Sequence, residues 1–594
     1  MGAEDYPQDW ESLKKHKVPE WFKDAKLGIY AHWGVYCVPA HGSEWYPRNM
    51  YRKGSGAYKH HVETYGDPSE FGYKDFIPMF KAEKFDAEAW ADLYEKAGAK
   101  FAGPVAEHHD GFSMWASKVN RWNSVDMGPK RDITGELAAA LRKRGIKIIT
   151  SFHHAYNFQG YYTPGEGWDT ADSECADLYG QFEDPEVAHE RWFIKIKEVI
   201  DNYQPDQIWY DFGLARIPDA YKRRMAAYYY GKEKEWGKEV IITRKGDHLP
   251  EGVGVLDIER GKMEGSAPFL WQTDDSVAVN SWCWVEDLKI KPKQELVHEL
   301  IDIVSKNGVL LLNVAPKEDG TFPEDQRAIL LELGKWLDVN GEAIYGTRPW
   351  VVHGEGPNLL DPGRGFHREA VEFSARDIRF TSKPDALYVI CLGWPDRDVK
   401  LRSLLVDNVR RDAKVSLLGY PGEIRHRLED GHRLVIDVPD LAPEKRPGRY
   451  AYTFKILGIT GKGYSAVNVK ADQAVLEGPQ IGVEEKSPGI KNIGFWNRAD
   501  AKVHWLVKIP EAGNYLVRGD FAAAAGVAWL ALEANGQTIF TEVPSTAGWD
   551  SPKLVDMGSV RFDGPGVYHL VLRAGDPARW NAVNVWQLEL GLVK

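Results

Sequence analysis

Residues 26–345 alternate eight times between a short apolar run and a segment with helical periodicity. Apolar residues in those segments recur three and four positions apart, as in Trp192–Ile200 and Leu296–Val304. Strands that alternate with helices form a parallel sheet, and eight such units in about 250 residues or more close into a barrel. The sequence therefore predicts a (β/α)8-type barrel over residues 1–347. The eight runs are 26–34, 100–110, 147–155, 206–213, 239–246, 253–261, 269–276 and 309–315.

Beyond residue 347 the pattern changes to short strand-like runs separated by Gly, Pro and polar turns. This spacing is typical of antiparallel sandwiches. We predict one all-β sandwich over 348–460, packed on the barrel, and a second over 461–594. In the second sandwich, Glu533–Gly536 (EANG) predicts a hairpin turn. Its tryptophans could form a sugar-binding platform, although we favour core packing: Trp496, Trp529, Trp549, Trp580 and Trp586.

Composition excludes several classes of protein. No run of 18 apolar residues is present, so we expect no membrane span. The formal net charge is −12 and no basic block stands out, which argues against nucleic-acid binding. Four scattered cysteines without a C-x-x-C pair support neither a disulfide scaffold nor a zinc site. The 23 tryptophans favour a sugar ligand, because sugar rings stack on indole faces.

The first residues, MGAEDYPQDW, show no apolar leader pattern. The sequence leaves the cellular location open between the cytoplasm and a mature exported form, and we favour the periplasm or secretion.

Active sites of such barrels lie where the strands end, at the carboxyl edge. Five histidines and several carboxylates stand there, although buried polar groups cost free energy unless they are paired. Metal spacings such as HExxH and HxH are absent, and we expect the adjacent His108 and His109 to point to opposite sides of a strand. We therefore predict a neutral polyhydroxyl ligand rather than a metal, with Trp33, Trp45 and Trp209 as apolar faces. The strand-end residues are His32, His108, His109, Asp110, His153, His154, Asp211, Asp257, Glu259, Arg260, Gln272, Asp274 and Asp275.

Several motifs on these strand ends resemble the α-L-fucosidases of glycoside hydrolase family 29. The resemblance covers about residues 20–350, and HHDGF followed closely by GPKRD makes it specific. The matching segments are His32–Gly34 (HWG), Ser43–Tyr51 (SEWYPRNMY), His108–Phe112 (HHDGF), Trp122–Asp132 (WNSVDMGPKRD), Ile208–Asp211 (IWYD), Ser305–Val314 (SKNGVLLLNV) and Asn340–Thr347 (NGEAIYGT).

The resemblance implies a retaining exo-fucosidase with Asp211 as the nucleophile and no cofactor. Arg260 matches an arginine near the nucleophile, whose charge would keep Asp211 ionised. Ser151 stands where the family often has tyrosine, and His153 shares its face of the strand. The residues that the resemblance places against the sugar are His32, Trp45, His108, His109, His153, Trp209 and Arg260.

The sequence departs from the family at the general acid/base. Counting from Arg260, the position that commonly holds glutamate is Gln272, which cannot transfer a proton. We predict Asp274 in its place, ahead of Glu44, because Asp274 faces the same side of the strand as Gln272. Glu259 and Glu286 are further candidates, but Glu259 adjoins Arg260 and is expected to point away from it.

Two alternatives remain open. Ser151 and Gln272 are compatible with another deoxy or modified sugar handled by the same mechanism. Gln272 is also compatible with a relative that binds fucose without hydrolysis, which Asp211 argues against. The expected partner is a fucosylated oligo- or polysaccharide, and the sequence leaves homo-oligomerisation open.

Overall fold

The computed structural model describes residues 6–593 apart from 159, 264, 268, 359–370, 406–408, 430–432, 460–465 and 488–489. Within these residues, eight parallel strands close into a barrel in sequence order, with β1 paired to both β2 and β8. Each strand falls within or overlaps one of the eight predicted runs, so the predicted barrel is confirmed. The strands are β1 Leu27–Ala31, β2 Phe101–Glu107, β3 Lys147–Phe152, β4 Gln207–Tyr210, β5 Ile241–Lys245, β6 Val255–Asp257, β7 Trp271–Ser276 and β8 Gly308–Val314.

Helices surround the barrel and bury one stripe each against it. In α8, Asp184 caps the first turn, Pro185 occupies the first helical position and Gln204 ends the helix in a left-handed conformation. The helices are α1 Trp10–Leu13, α2 Glu20–Ala25, α3 Tyr46–Asn49, α4 Gly56–Thr64, α5 Ala87–Lys96, α6 Ile133–Lys143, α7 Ala176–Tyr179, α8 Pro185–Tyr203, α9 Asp219–Trp236, α10 Lys293–Ser305 and α11 Glu324–Asn340. No helix among the described residues is long and apolar enough to cross a bilayer.

The barrel strands are covered on both faces, which explains the mainly apolar sequences of β1, β2 and β8, whereas β7 (WQTDDS) is buried but polar. Every residue of β1, β2, β4, β5, β7 and β8 is buried. Phe101, Ile149, Trp209 and Leu311 belong to one buried cluster of the barrel strands. This packed core leaves the carboxyl edge as the place for polar side chains.

The second unit packs a five-stranded antiparallel sheet, in the order β13-β16-β11-β10-β9, against a three-stranded sheet, β12-β15-β14. It is joined to the barrel by a buried ion-pair cluster in which Asp302 contacts both Lys306 and Arg379. Sequence periodicity missed β9, β12 and β14. The strands are β9 Arg348–Glu355, β10 Ile378–Lys383, β11 Ala386–Cys391, β12 Val399–Leu405, β13 Val409–Leu417, β14 His426–Glu429, β15 Arg433–Ile436 and β16 Tyr452–Ile459.

The third unit is a second antiparallel sandwich with its own apolar core. The proposed boundary at residues 460–461 lies outside the described residues. Asn535 and Gly536, both with positive φ, join β23 to β24, as the predicted hairpin requires. Trp496 is fully buried, whereas Trp549 is 38% exposed. The strands are β17 Ala466–Lys470, β18 Val475–Glu477, β19 Gly482–Ser487, β20 Ile490–Gly494, β21 Lys502–Ile509, β22 Gly513–Ala522, β23 Ala528–Ala534, β24 Gln537–Val543, β25 Lys553–Phe562, β26 Gly566–Ala574 and β27 Asn584–Val593.

Candidate active site

A cavity with about 330 Å³ of empty space, its open mouth included, lies at the carboxyl edge of the barrel. That size suits a single small ligand. Nearly all of its lining residues stand at strand ends or in the loops that follow them. They are His32, Glu44, Trp45, His108, His109, His153, Asp211, Phe212, Lys245, Glu259, Asp274 and Trp282.

Asp211 follows the last residue of β4 and is buried in the cavity wall. Its Oδ2 lies 3.0 Å from His153 Nδ1 and 3.2 Å from His109 Nε2. Its Oδ1 lies 3.0 Å from Lys245 Nζ but, among the described residues, accepts no hydrogen bond of good geometry. Burial alone would raise the pKa of Asp211, but Lys245 and the two histidines hold that pKa well below its usual range. Asp211 is therefore an ionised carboxylate with one oxygen anchored and the other facing an ammonium.

Lys245, the last residue of β5, joins three carboxyl groups of the cavity. Its Nζ lies 3.0 Å from Asp211 Oδ1, 2.9 Å from Glu259 Oε2 and 3.2 Å from Asp274 Oδ2. Although burial acts to lower the pKa of Lys245, the surrounding carboxyl groups hold it well above its usual range. Each of the other two carboxyl oxygens is consequently no more than about 6 Å from Asp211 Oδ1, a limit compatible with the spacing of about 5–5.5 Å found in retaining glycosidases.

Four histidines line the cavity, and two of them, His109 and His153, contact Asp211. The expectation that His108 and His109 point to opposite sides is wrong: both line the cavity, with ring centroids 4.6 Å apart. The alternation rule fails because β2 ends at Glu107, so neither residue has strand geometry. His109 Nδ1 donates to the carbonyl oxygen of His153 at 2.6 Å, which fixes the His109 ring against Asp211.

The remaining carboxyl groups of the cavity differ in depth. Glu44 is buried and accepts from the Trp282 backbone N–H at 3.3 Å, and burial raises the pKa of Glu44 to about 7. Asp274 is 1% exposed and accepts from the Tyr30 hydroxyl, and burial together with the neighbouring Asp257 holds the pKa of Asp274 well above its usual range. The side chain of Glu259 is 40% exposed. Glu259 therefore occupies the mouth and Asp274 the interior.

Three residues predicted to belong to the sugar site are not among the residues that line this cavity. Arg260 stacks on the Trp282 ring at 4.5 Å and pairs with Asp275 at 3.4 Å, so the cation 3.0 Å from Asp211 is the Lys245 ammonium instead. Trp209 is fully buried beneath the cavity, where its Nε1 donates to Asp257.

Trp33, suggested as an apolar face of the sugar site, packs against Phe80, Phe85 and Trp90.

Gln272 is buried in the barrel, where its Nε2 donates to Asp257 Oδ2 at 2.5 Å and its Oε1 accepts from Gln207. The side chain that replaces the commonly found glutamate therefore does not reach the cavity. Ser151 is likewise fully buried, and the cavity wall near it is formed by His153.

Sequence reasoning missed Lys245, Phe212 and Trp282. Lys245 ends a strand, so the rule that selected the other candidates would have found it in the fifth run. Phe212 directly follows Asp211 and stacks on Trp45 at a centroid distance of 6.2 Å. Trp282 lies in the loop after β7, and no periodic signal marks it.

Known proteins that are similar to this chain are alpha-L-fucosidases. The family model "Alpha-L-fucosidase" matches residues 2–342, and the model "Alpha-L-fucosidase C-terminal domain" matches residues 372–457. The human tissue alpha-L-fucosidase is 31% identical over 469 residues, which cover 76% of this chain and 92% of that protein. The crystal structure of Thermotoga maritima alpha-fucosidase in complex with fucose is 30% identical, with a TM-score of 0.61, over 76% of this chain and 100% of that chain.

A Vibrio alpha-L-fucosidase structure matches over 98% of this chain and 99% of its own, with a TM-score of 0.59. Because it is only 17% identical, that likeness shows the fold alone. It extends over the C-terminal sandwich as well as the barrel.

Proposed function

The chain belongs to the α-L-fucosidase family and is a glycoside hydrolase, and we propose that it removes terminal α-L-fucosyl residues with retention of configuration, using Asp211 as the nucleophile. The observation that carries the proposal is the state of Asp211: ionised, buried in a one-sugar cavity, and within about 6 Å of two further carboxyl groups. The expected substrate is a fucosylated oligo- or polysaccharide.

In the first step, Asp211 Oδ1 attacks the anomeric carbon, the bond to the leaving-group oxygen breaks and the general acid protonates that oxygen, which gives a glycosyl-enzyme. Oδ1 is suited to this role because Oδ2 is already held by His109 and His153. In the second step, the same group acts as a base and takes a proton from water, which attacks the same carbon and releases Asp211. Two inversions at one carbon give net retention.

For the general acid/base, the geometry favours Glu259 over the predicted Asp274. A terminal sugar enters the cavity first, so the leaving group remains at the mouth, where Glu259 is 40% exposed. Asp274 is 1% exposed and is held by Tyr30 and Lys245 inside the barrel. One observation favours Asp274: burial and Asp257 hold its pKa high, so it retains a proton. Glu44, with a pKa of about 7, is equally deep.

The sugar hydroxyls are expected to bind the imidazoles of His32, His108, His109 and His153, with Trp45 at the rim. Ser151 and Gln272 raised the prospect of another sugar, but both side chains are buried away from the cavity. A panel of aryl glycosides tests this point: a preference for galactoside over fucoside would exclude fucose as the substrate.

The nucleophile is tested with an aryl α-L-fucoside and NMR of the anomer first released. Wild-type enzyme is expected to release α-fucose, and Asp211→Gly is expected to lose on the order of 10⁴-fold in kcat. Azide should react with this variant to give β-fucosyl azide, because azide then takes the place of the missing carboxylate. Turnover close to the wild-type rate by a folded Asp211→Gly protein without azide would exclude the assignment.

The acid/base is tested by comparing Glu259→Gln with Asp274→Asn, a pair that changes one carboxyl group each without changing volume. The true acid/base variant should hydrolyse an activated aryl fucoside far better than an unactivated disaccharide, because only the latter needs a proton donor. Azide should accelerate that variant and give α-fucosyl azide by attack on the glycosyl-enzyme. The same signature in Asp274→Asn and not in Glu259→Gln would reverse the assignment.

A further inference from the structure

Three imidazoles of the cavity have the spacing of a metal site. One nitrogen from each of His32, His108 and His153 lies within 4.8 Å of the other two, and all three side chains are buried. Within the described part of the chain, His108 Nδ1 and His153 Nε2 are buried without a hydrogen-bond partner. Buried polar atoms without a partner are uncommon and call for a ligand.

The tautomers of two of these rings are fixed by their neighbours. His153 Nδ1 lies 3.0 Å from Asp211 Oδ2, which only accepts, so Nδ1 carries the proton and Nε2 presents a lone pair. His32 Nδ1 lies 2.8 Å from Asn313 Oδ1. The amide orientation of Asn313 is set because its Nδ2 donates to the Trp282 carbonyl at 2.7 Å. His32 Nδ1 is therefore also the protonated nitrogen.

A histidine that binds a metal usually donates the N–H of its other ring nitrogen to an oxygen atom, which holds the ring in place. Asp211 and Asn313 provide such oxygens for His153 and His32. We propose that the cavity binds one divalent transition-metal ion of the Zn²⁺ or Cu²⁺ class through His32, His108 and His153, and that this ion and the sugar exclude each other. Imidazole nitrogens suit these ions. The ion is a competing ligand and has no role in the proposed hydrolysis.

Exclusion follows from the size of the cavity. The same histidines are expected to bind the sugar hydroxyls, and this expectation rests on the proposed function. The cavity has room for one small ligand. Zinc–nitrogen bonds of about 2.0–2.1 Å in a tetrahedral site hold the nitrogens roughly 3.4 Å apart. The three nitrogens, which lie within 4.8 Å of one another, would therefore approach by at most about 1.4 Å to close on the ion.

The test is calorimetric titration of EDTA-treated, dialysed protein with ZnCl₂, in the presence and absence of L-fucose. With L-fucose at ten times its own Kd, the apparent Kd for Zn²⁺ should rise about tenfold. His108→Ala and, as a second variant, His153→Gln should each weaken Zn²⁺ binding at least tenfold while retaining a cooperative thermal transition.

His504→Ala is the matched control. His504 and His569 form an imidazole pair on the C-terminal sandwich, with His504 Nδ1 3.1 Å from His569 Nε2, and this pair could bind Zn²⁺ away from the cavity. His504→Ala should keep the Zn²⁺ that L-fucose displaces. The proposal is overturned by the absence of saturable Zn²⁺ binding, or by wild-type affinity in both folded cavity variants. A third outcome is Zn²⁺ binding that is lost in His108→Ala but is unaffected by L-fucose. This result would confirm the metal site, overturn the mutual exclusion of ion and sugar, and count against fucose as the substrate.

Discussion

Replacing Lys245 with methionine should move the acid limb of the pH–activity profile. The Lys245 ammonium lies 3.0 Å from Asp211 Oδ1, and at an effective dielectric constant of about 20 this attraction is about 5 kcal/mol. One pKa unit corresponds to about 1.4 kcal/mol, so about 4 units is the upper limit of the effect. Because His153 still donates to Oδ2 and His109 Nε2 lies 3.2 Å from it, only part of this energy should appear as a rise in the pKa of Asp211.

The sign follows from the role proposed for Asp211. The nucleophile must be ionised, so activity is lost as the pH falls through its pKa. In the wild type that pKa is held well below its usual range, and in Lys245→Met it rises. Activity of Lys245→Met should therefore fall at a higher pH than activity of the wild type. The measurement is kcat/KM for an activated aryl α-L-fucoside, which needs little protonation and so reports mainly on the nucleophile.

Lys291→Met is the matched control. Lys291 is also buried and pairs with two carboxylates, Asp275 and Glu299, each at 2.9 Å, but it does not line the cavity. Breaking a buried ion pair typically costs about 3–5 kcal/mol, so both variants should lose stability. Only Lys245→Met should shift the acid limb. An unchanged limb in folded Lys245→Met, or an equal shift in Lys291→Met, would refute the reasoning.

Three further predictions concern stability. The pKa of Glu44 is about 7 in the folded protein and near 4.5 in the unfolded chain. The wild type should therefore lose stability as the pH rises from 4.5 to 7. Glu44→Gln cannot titrate there, so its thermal stability should fall less than that of the wild type between pH 5 and pH 8. Arg379→Met removes one of the cations that surround the buried Asp302 at the junction of barrel and sandwich and should cost about 3–5 kcal/mol by denaturant titration, with little change in kcat. Gly536→Val places a β-branched residue at φ +71° and should destabilise the C-terminal sandwich by about 1–2 kcal/mol, which limited proteolysis would detect while activity is unchanged.

Much of the fold could be predicted because its signals are local. Period-3.6 segments between apolar runs gave the barrel, and Asn535–Gly536 gave a hairpin because both residues tolerate positive φ. Strand β14 (HRLE) has one apolar residue in four and carries no comparable signal, whereas the start of β12 (VKLRSLL) does alternate and was overlooked. The error at His108 and His109 has the same origin: alternation holds only while a strand lasts, and β2 ends one residue earlier.

The sequence by itself determined the barrel and the set of strand-end residues, among them Asp211, because the apolar runs locate the carboxyl end of each strand to within a few residues. Only the tertiary structure decided which charges meet. Closure of the barrel brings Lys245 to Asp211, Glu259 and Asp274, residues separated by 14 to 63 positions in the chain. It also turns Gln272 and Trp209 inward and leaves Glu259 at the mouth. The pKa of each of these side chains depends on its distance from other charges and on its burial in the folded chain. A local sequence pattern does not contain the distances between residues that are far apart in the chain.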